Sequence, residues 1–144
     1  MSVAAPELTV VLPAFNEEES LPQVWSEVSG VLDALGRSAE VIFVDDGSAD
    51  ATPDIVRSFR AADSRVRLIR LAANAGLSAA LDAGFARARG RIVITLDGDL
   101  QNDPRDIPRM LDALEGYDAV TGWRQRRDDP WLKRISSRIA NGVR

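Results

Sequence analysis

Apolar residues recur along this chain in two rhythms. Short runs rich in β-branched residues fall at 8–12, 40–44, 66–71, 92–96 and 117–121. Runs this short, bounded by glycine, proline or acidic residues, predict strands. Between them the spacing lengthens to 3.6. Leu21, Val24, Trp25, Val28, Val31, Leu32 and Leu35 predict one helix, opened by Ser20 and Pro22 and closed by Gly36. Thr52-Pro53-Asp54 reads as an N-cap, a first-turn proline and a first-turn acid for a second helix ending near Ala62. Leu77, Ala80, Leu81, Gly84, Phe85 and Ala88 predict the apolar face of a third. Ile107, Met110, Leu111 and Leu114 predict a fourth, begun at Asp103-Pro104 or Asp106. An amphipathic stretch over 130–140 predicts a fifth. Strand and helix alternate throughout, which implies an α/β fold: a mostly parallel sheet with helices on both faces.

The run 92–96 has no polar interruption except Thr95, so it reads as a strand buried on both faces. It ends in Asp97-Gly98-Asp99. The run 8–12 ends at Pro13, which lacks the donor a central strand needs and so predicts a loop, Pro13-Ala-Phe-Asn-Glu17. The run 40–44 ends in Asp45-Asp46-Gly47-Ser48. In an open α/β sheet, ligands bind outside the carboxyl ends of the strands. Three polar loops are therefore expected on one edge. Asp97 and Asp99 either cap a turn or share a hard divalent cation with Gln101, Mg²⁺ or Mn²⁺, whose shell takes oxygen ligands and substrate phosphates. A nucleotide diphosphate would use all three loops. The first two would supply a wall and a polar edge for its base, and the third would hold the cation on its phosphates.

Composition narrows the chemistry. The 144 residues are enough for one domain with a real core. They include no cysteine and no histidine. Thiolate nucleophiles, zinc–thiolate sites and serine–histidine mechanisms are therefore excluded within this chain. No Gly-x-Gly-x-x-Gly follows the first strand and there is no Walker loop, which argues against dinucleotide oxidoreductases and P-loop nucleotidases. No apolar run approaches the roughly 20 residues of a membrane span. The start of the chain lacks the basic and apolar regions of a signal peptide.

Charge is unevenly placed. Residues 1–122 carry eleven basic against twenty acidic side chains, whereas residues 123–144 carry seven against two. An acidic body and a basic tail point to an anionic partner for the tail, unless the tail is only solvated surface. Trp123 and Trp131 fit a core or a lipid interface equally well.

Four segments in order resemble the signatures of the family 2 glycosyltransferases, inverting enzymes of the GT-A fold. They are Val10-Val-Leu-Pro-Ala-Phe-Asn-Glu-Glu18, Val41-Ile-Phe-Val-Asp-Asp-Gly-Ser48, Asn74-Ala-Gly-Leu-Ser78 and Thr95-Leu-Asp-Gly-Asp-Leu-Gln-Asn-Asp-Pro104. The Asp-x-Asp-x-Gln form, the Asn-Asp-Pro continuation and the stretch Gly122-Trp-Arg…Lys133-Arg-Ile-Ser-Ser-Arg138 are most similar to one branch. That branch includes dolichol-phosphate mannose synthase and the bacterial polyprenyl-phosphate glycosyltransferases.

The resemblance implies a role for each site residue. Pro13, Phe15 and Glu17 would line the nucleotide pocket. Asp46 would accept a hydrogen bond from the base, with Val44 beside it. Asp97 and Gly98 would meet the donor's ribose or sugar end, and Asp99 and Gln101 would hold Mg²⁺ or Mn²⁺. Arg124 would neutralise the leaving diphosphate, and Arg124, Lys133 and Arg138 would hold acceptor phosphate. The implied donor is a UDP- or GDP-sugar and the implied acceptor a polyprenyl phosphate, reached by peripheral contact with the cytoplasmic face of a membrane. No nucleic-acid partner is expected, and the oligomeric state stays open.

On this division, residues 1–122 form the donor-binding core and 123–144 open an acceptor-facing part that ends at Arg144, as in a truncated chain. Two other readings remain. One is a nucleotide-sugar-binding module without catalysis, and the other a family 2 glycosyltransferase with a non-lipid acceptor. A nucleotidyltransferase is disfavoured, because Pro13-Ala-Phe-Asn-Glu17 stands where its glycine-rich phosphate loop would be.

Overall fold

The computed structural model describes residues 4–122. Four strands, β1 (Leu8–Ala14), β2 (Ala39–Asp45), β3 (Val66–Arg70) and β4 (Ile92–Thr95), form one parallel sheet in the order β3-β2-β1-β4. The crossovers are α1 (Leu21–Leu35), α2 (Thr52–Ala62) and α3 (Leu77–Phe85). A short 3₁₀ turn, Pro104–Asp106, leads into α4 (Ile107–Ala113). The first four strands and the first four helices expected from the pattern are present. The helix expected over 130–140 lies outside the described residues, as do Trp123, Arg124, Trp131, Lys133 and Arg138.

β1 and β2 are buried along nearly their whole length because helices cover both faces of the sheet. On one face, Leu8, Val10, Leu12, Val41 and Phe43 meet Leu21, Val24, Val28 and Leu32 of α1, Val56 of α2 and Ile107 of α4. Trp25, Phe43 and Phe59 form an aromatic cluster there, with ring centroids 5.8–6.1 Å apart. On the other face, Val11, Ile42 and Val44 pack under Ala80 of α3. The chain steps outward from β1 to β2 to β3, then returns through α3 to place β4 on the opposite side of β1. The point where the order reverses, between β1 and β4, is where such sheets open a ligand crevice at their carboxyl ends.

Several sequence expectations need correction. β1 does not stop at Leu12 but runs through Pro13 to Ala14, in register with Val44 and Asp45. Glu7 and Val11 carbonyls accept from β4 amides, whereas Ala14 O accepts from Asp46 N towards β2. By alternation the nitrogen of Pro13 faces the β4 side. There the ladder has already ended at Thr95, so no donor is missed. β4 itself is an edge strand among the described residues. Val93 and Thr95 are exposed, so β4 is not buried on both faces. The fifth strand expected over 117–121 is absent. Tyr117 N turns back to Leu114 O and its ring is 73% exposed, so this stretch buries too little apolar surface to hold itself on the sheet. Leu77 and Phe85 are also exposed, and only the small residues Ala80 and Gly84 of α3 are buried against the strands.

Candidate functional site

The parallel sheet brings the carboxyl ends of β1, β2 and β4 to one edge, as the strand pattern implies. The first two loops are stitched to each other by side chain–to–backbone hydrogen bonds. Asn16 adopts a left-handed backbone (φ 52°). This is a conformation asparagine tolerates better than most residues. Its N–H donates to Ser48 Oγ at 2.9 Å, and its Oδ1 accepts from Ala49 N at 2.9 Å. Glu17 N donates to Thr52 Oγ1 at 2.9 Å, and Ala51 N donates to Glu18 Oε2 at 2.8 Å. Thr52 is thus not the cap of α2. Its hydroxyl holds the first loop, and Asp50 accepts from Thr52 N at 2.9 Å instead. Burial works to raise the Asp50 carboxyl. The Thr52 hydroxyl and amide and the Glu18 amide outweigh it and hold the group below its ordinary value.

The acidic pair at the end of β2 is satisfied from within. Asp45 is 1% exposed; its Oδ1 accepts from Ser48 N at 3.0 Å, which stabilises the loop. Arg70 Nε lies 3.1 Å from Asp45 Oδ2 in ion-pair range, yet off the hydrogen-bonding direction, leaving that buried oxygen without a bonded donor. Asp46, 5% exposed, accepts from Ala75 N at 2.7 Å and Gly76 N at 2.9 Å, ahead of α3. Gly47 has φ 74°, and a Cβ there would lie 2.6 Å from the backbone of Ala73 and Asn74. Glycine is therefore required where the two loops touch.

The third loop closes over the end of β1. Gly98 is buried, and a Cβ on it would approach Pro13 O to 3.1 Å. Asp97 Oδ2 accepts from Asn102 Nδ2 at 3.1 Å, and Asp99 Oδ1 accepts from Gln101 N at 3.1 Å. Leu100 is held at φ 62°, a left-handed backbone that costs a non-glycine residue roughly 1–2 kcal/mol. Asp103 caps the following 3₁₀ turn, and the Arg105 guanidinium beside it holds its carboxyl below the usual range. No ion pair among the described residues reaches Glu17, Asp46, Asp97 or Asp99.

Each expected site residue can now be located. Pro13 is buried in β1, level with Val44. Phe15 stands 44% exposed, so it does not serve the core. Glu17 is half-buried and Asp97 partly so, while Asp99 and Gln101 are exposed. Val44 is wholly buried on the α3 face, in the cluster with Val11 and Ala80. Sequence reasoning missed Ser20, Ser48, Thr52 and Asn102 as members of this site. Ser20, Ser48 and Thr52 have partners in other loops, which only the fold brings in, whereas Asn102 bonds Asp97 within its own loop.

Hard oxygen donors fit a divalent cation here. No three acidic side chains cluster closely enough among the described residues to hold a metal by themselves. A cation at Asp99 and Gln101 would draw its remaining ligands from water and a bound phosphate, the usual habit of Mg²⁺.

Known proteins share this sequence pattern and this fold. The family described as Glycosyl transferase family 2 matches residues 9–141. The undecaprenyl-phosphate 4-deoxy-4-formamido-L-arabinose transferase of Aeromonas hydrophila is 43% identical over 136 residues, 93% of this chain. The chain spans 42% of the length of that relative. Among solved structures, the mannosyltransferase PcManGT from Pyrobaculum calidifontis, in complex with GDP-Man and Mn²⁺, superposes with a TM-score of 0.67 at 25% identity. That match covers 77% of this chain and 33% of the other. The glucosyl-3-phosphoglycerate synthase of Mycobacterium tuberculosis, in complex with Mn²⁺, UDP and phosphoglyceric acid, gives 0.60 at 28% identity, over 80% and 41%.

Proposed function

Because the chain belongs to glycosyl transferase family 2 and carries its GT-A sheet, we propose that it forms the donor-binding part of a metal-dependent, inverting glycosyltransferase with a polyprenyl-phosphate acceptor. The observation that carries this reading is the edge at the switch point. Pro13–Glu17, Asp45–Ser48 and Asp97–Gln101 converge there, two loops locked together and the third folded over β1. The name of the Aeromonas relative supports a lipid-phosphate acceptor, and the Mn²⁺ and nucleotide in the two solved structures support the donor chemistry.

In this reading Phe15 and the end of β1 form one wall of the nucleotide pocket. Asp46 offers a fixed acceptor to the base, oriented by the Ala75 and Gly76 amides. Asp99 and Gln101 would hold Mg²⁺ or Mn²⁺, and Asp97 would meet the ribose or sugar end. A cation held there would supply positive charge against the leaving diphosphate. An acceptor phosphate oxygen forms a bond to the anomeric carbon while the bond to the diphosphate breaks, inverting that carbon. The acceptor oxygen is already ionised, so it needs positioning rather than deprotonation, consistent with a chain without histidine. Arg124, Lys133 and Arg138 offer phosphate-binding charge. Among the described residues no helix is long and apolar enough to cross a membrane. The basic, tryptophan-bearing tail is suited to peripheral contact with an anionic surface, at the cytoplasmic face.

Calorimetric titration of UDP-glucose, UDP-N-acetylglucosamine and GDP-mannose, with and without Mn²⁺, tests the donor site. One donor should bind far more tightly with the metal than without it, and Asp99→Ala should abolish that gain. Equal affinity with and without Mn²⁺, or a gain that survives Asp99→Ala, would refute the assignment.

A further inference from the structure

Ser20 occupies the N-cap position of α1, yet its side chain makes no capping hydrogen bond. A serine there ordinarily accepts from the second or third amide of the helix, worth about 1 kcal/mol. This one faces the site instead. Its Oγ lies 2.6 Å from Glu17 Oε2, 2.8 Å from Gly98 O and 3.3 Å from Glu17 O. Gly98 sits between Asp97 and Asp99, 78 residues away in sequence. Its other side is packed on Pro13 and Ala14. The turn is thus gripped from two directions, and Ser20 supplies the polar grip.

We infer that Ser20 is a positioning residue for the Asp97–Asp99 turn, coupling it to Glu17 at the nucleotide end of the site. A hydroxyl carries one proton and here faces two strong acceptors. While Glu17 holds that proton, the Gly98 carbonyl is gripped less firmly. A ligand that draws the Glu17 carboxylate away commits the hydroxyl to Gly98 and fixes the spacing of Asp97 and Asp99. Nucleotide at one end thereby favours metal at the other. The coupling rests on the donor-site reading above, whereas the contact between Ser20 and Gly98 does not.

Two measurements on the 144-residue chain separate these. The first needs no ligand. Backbone amide spectra of Ser20→Ala should show shifted, faster-exchanging signals at Gly98, Asp99 and Gln101, and Ser20→Thr should restore them. Changes confined to the residues beside position 20 would overturn the grip. The second is calorimetry with UDP and MnCl₂. Ser20→Ala should weaken Mn²⁺-dependent UDP binding about five- to tenfold, the worth of one hydrogen bond. Metal-free UDP binding should be unchanged and Ser20→Thr near wild type. Equal weakening with and without Mn²⁺, or none, would overturn the coupling. Wild type that fails to bind UDP with Mn²⁺ would overturn both the coupling and the donor-site reading, leaving the amide spectra to decide the grip.

Discussion

Replacing Glu40 should destabilise the domain by about 3 kcal/mol, although Glu40 lies at the amino end of β2, far along the strand from the site. Its carboxylate is 2% exposed. It accepts from Thr9 Oγ1 at 2.8 Å, Arg67 Nη1 at 2.8 Å, and Arg89 at 2.7 Å (amide), 3.0 Å and 2.8 Å (guanidinium). Charge-assisted bonds contribute roughly 1.5–3 kcal/mol each when fully buried. The Arg67 and Arg89 side chains are 33% and 57% exposed. Both regain water when the carboxylate is removed, so each pair counts for roughly 0.5 kcal/mol. The Thr9 hydroxyl and Arg89 amide lose a buried acceptor at about 1 kcal/mol each. Glu40→Ala should therefore cost about 3 kcal/mol. Glu40→Gln keeps an acceptor for Thr9 and the Arg89 amide, so it should cost about half as much.

The same carboxylate makes the cost depend on pH. Burial acts to raise Glu40, but the Arg89 amide and the Arg67, Arg89 and Thr9 side chains outweigh it and hold the group below its ordinary value of 4.5. A depressed carboxylate stabilises fully above its unfolded value and progressively less as pH falls through its folded one. Urea unfolding at pH 7 and at steps below 4.5 reads both effects. The gap between wild type and Glu40→Gln should be widest at neutral pH and shrink on acidification. An alanine variant within about 0.5 kcal/mol of wild type at pH 7 would refute the network's importance, since exposed substitutions stay within that margin. So would a gap that does not narrow in acid.

Two further substitutions probe the core and the loop contact. Phe43→Ala should cost about 3–5 kcal/mol, because it removes the wholly buried ring against which Trp25 and Phe59 pack; a urea midpoint near wild type would contradict the packing. Gly47→Ala should destabilise by about 2–3 kcal/mol, from a left-handed backbone and a Cβ driven against Ala73 and Asn74. It should also weaken donor binding in calorimetry, whereas an unchanged melting temperature would show that the loops have slack.

Much of the architecture was legible because it rests on local periodicity. The helical spacing from Leu21 to Leu35 and the punctuation by Pro22 and Gly36 marked α1, and α1 runs over that span. The runs ending in Asp45 and Asp97 located two site-forming strand ends. What failed depended on neighbours the sequence does not reveal. The alternation of β4 was hidden because Ile92, Val93 and Ile94 are all apolar, and an edge position follows from topology rather than composition. Pro13 was read as a terminator by a rule that holds only while a partner strand continues beside it, and β4 ends first. Ser20 looked like an ordinary helix opener because nothing in its own segment points to Gly98.

The chemistry of the edge follows from how its carboxylates are occupied. An ionised carboxylate accepts about four hydrogen bonds. Asp46 has two backbone amides on it, and Asp50 accepts amides of Thr52 and Glu18, so both shape loops. Asp45 holds Ser48 and has Arg70 beside it. Asp97 accepts from Asn102 Nδ2 and Asp99 from Gln101 N, with no ion pair to either among the described residues. Negative charge at this edge is therefore least compensated at β4, beside the crevice the topology opens. Carboxylates held by amides build the walls, and Asp97 and Asp99 keep most of their capacity for the donor and its cation in the proposed reading. The order of strands decides which acids are which: β2, between β1 and β3, has loops on both sides to supply amides, and β4 lies at the sheet's edge among the described residues.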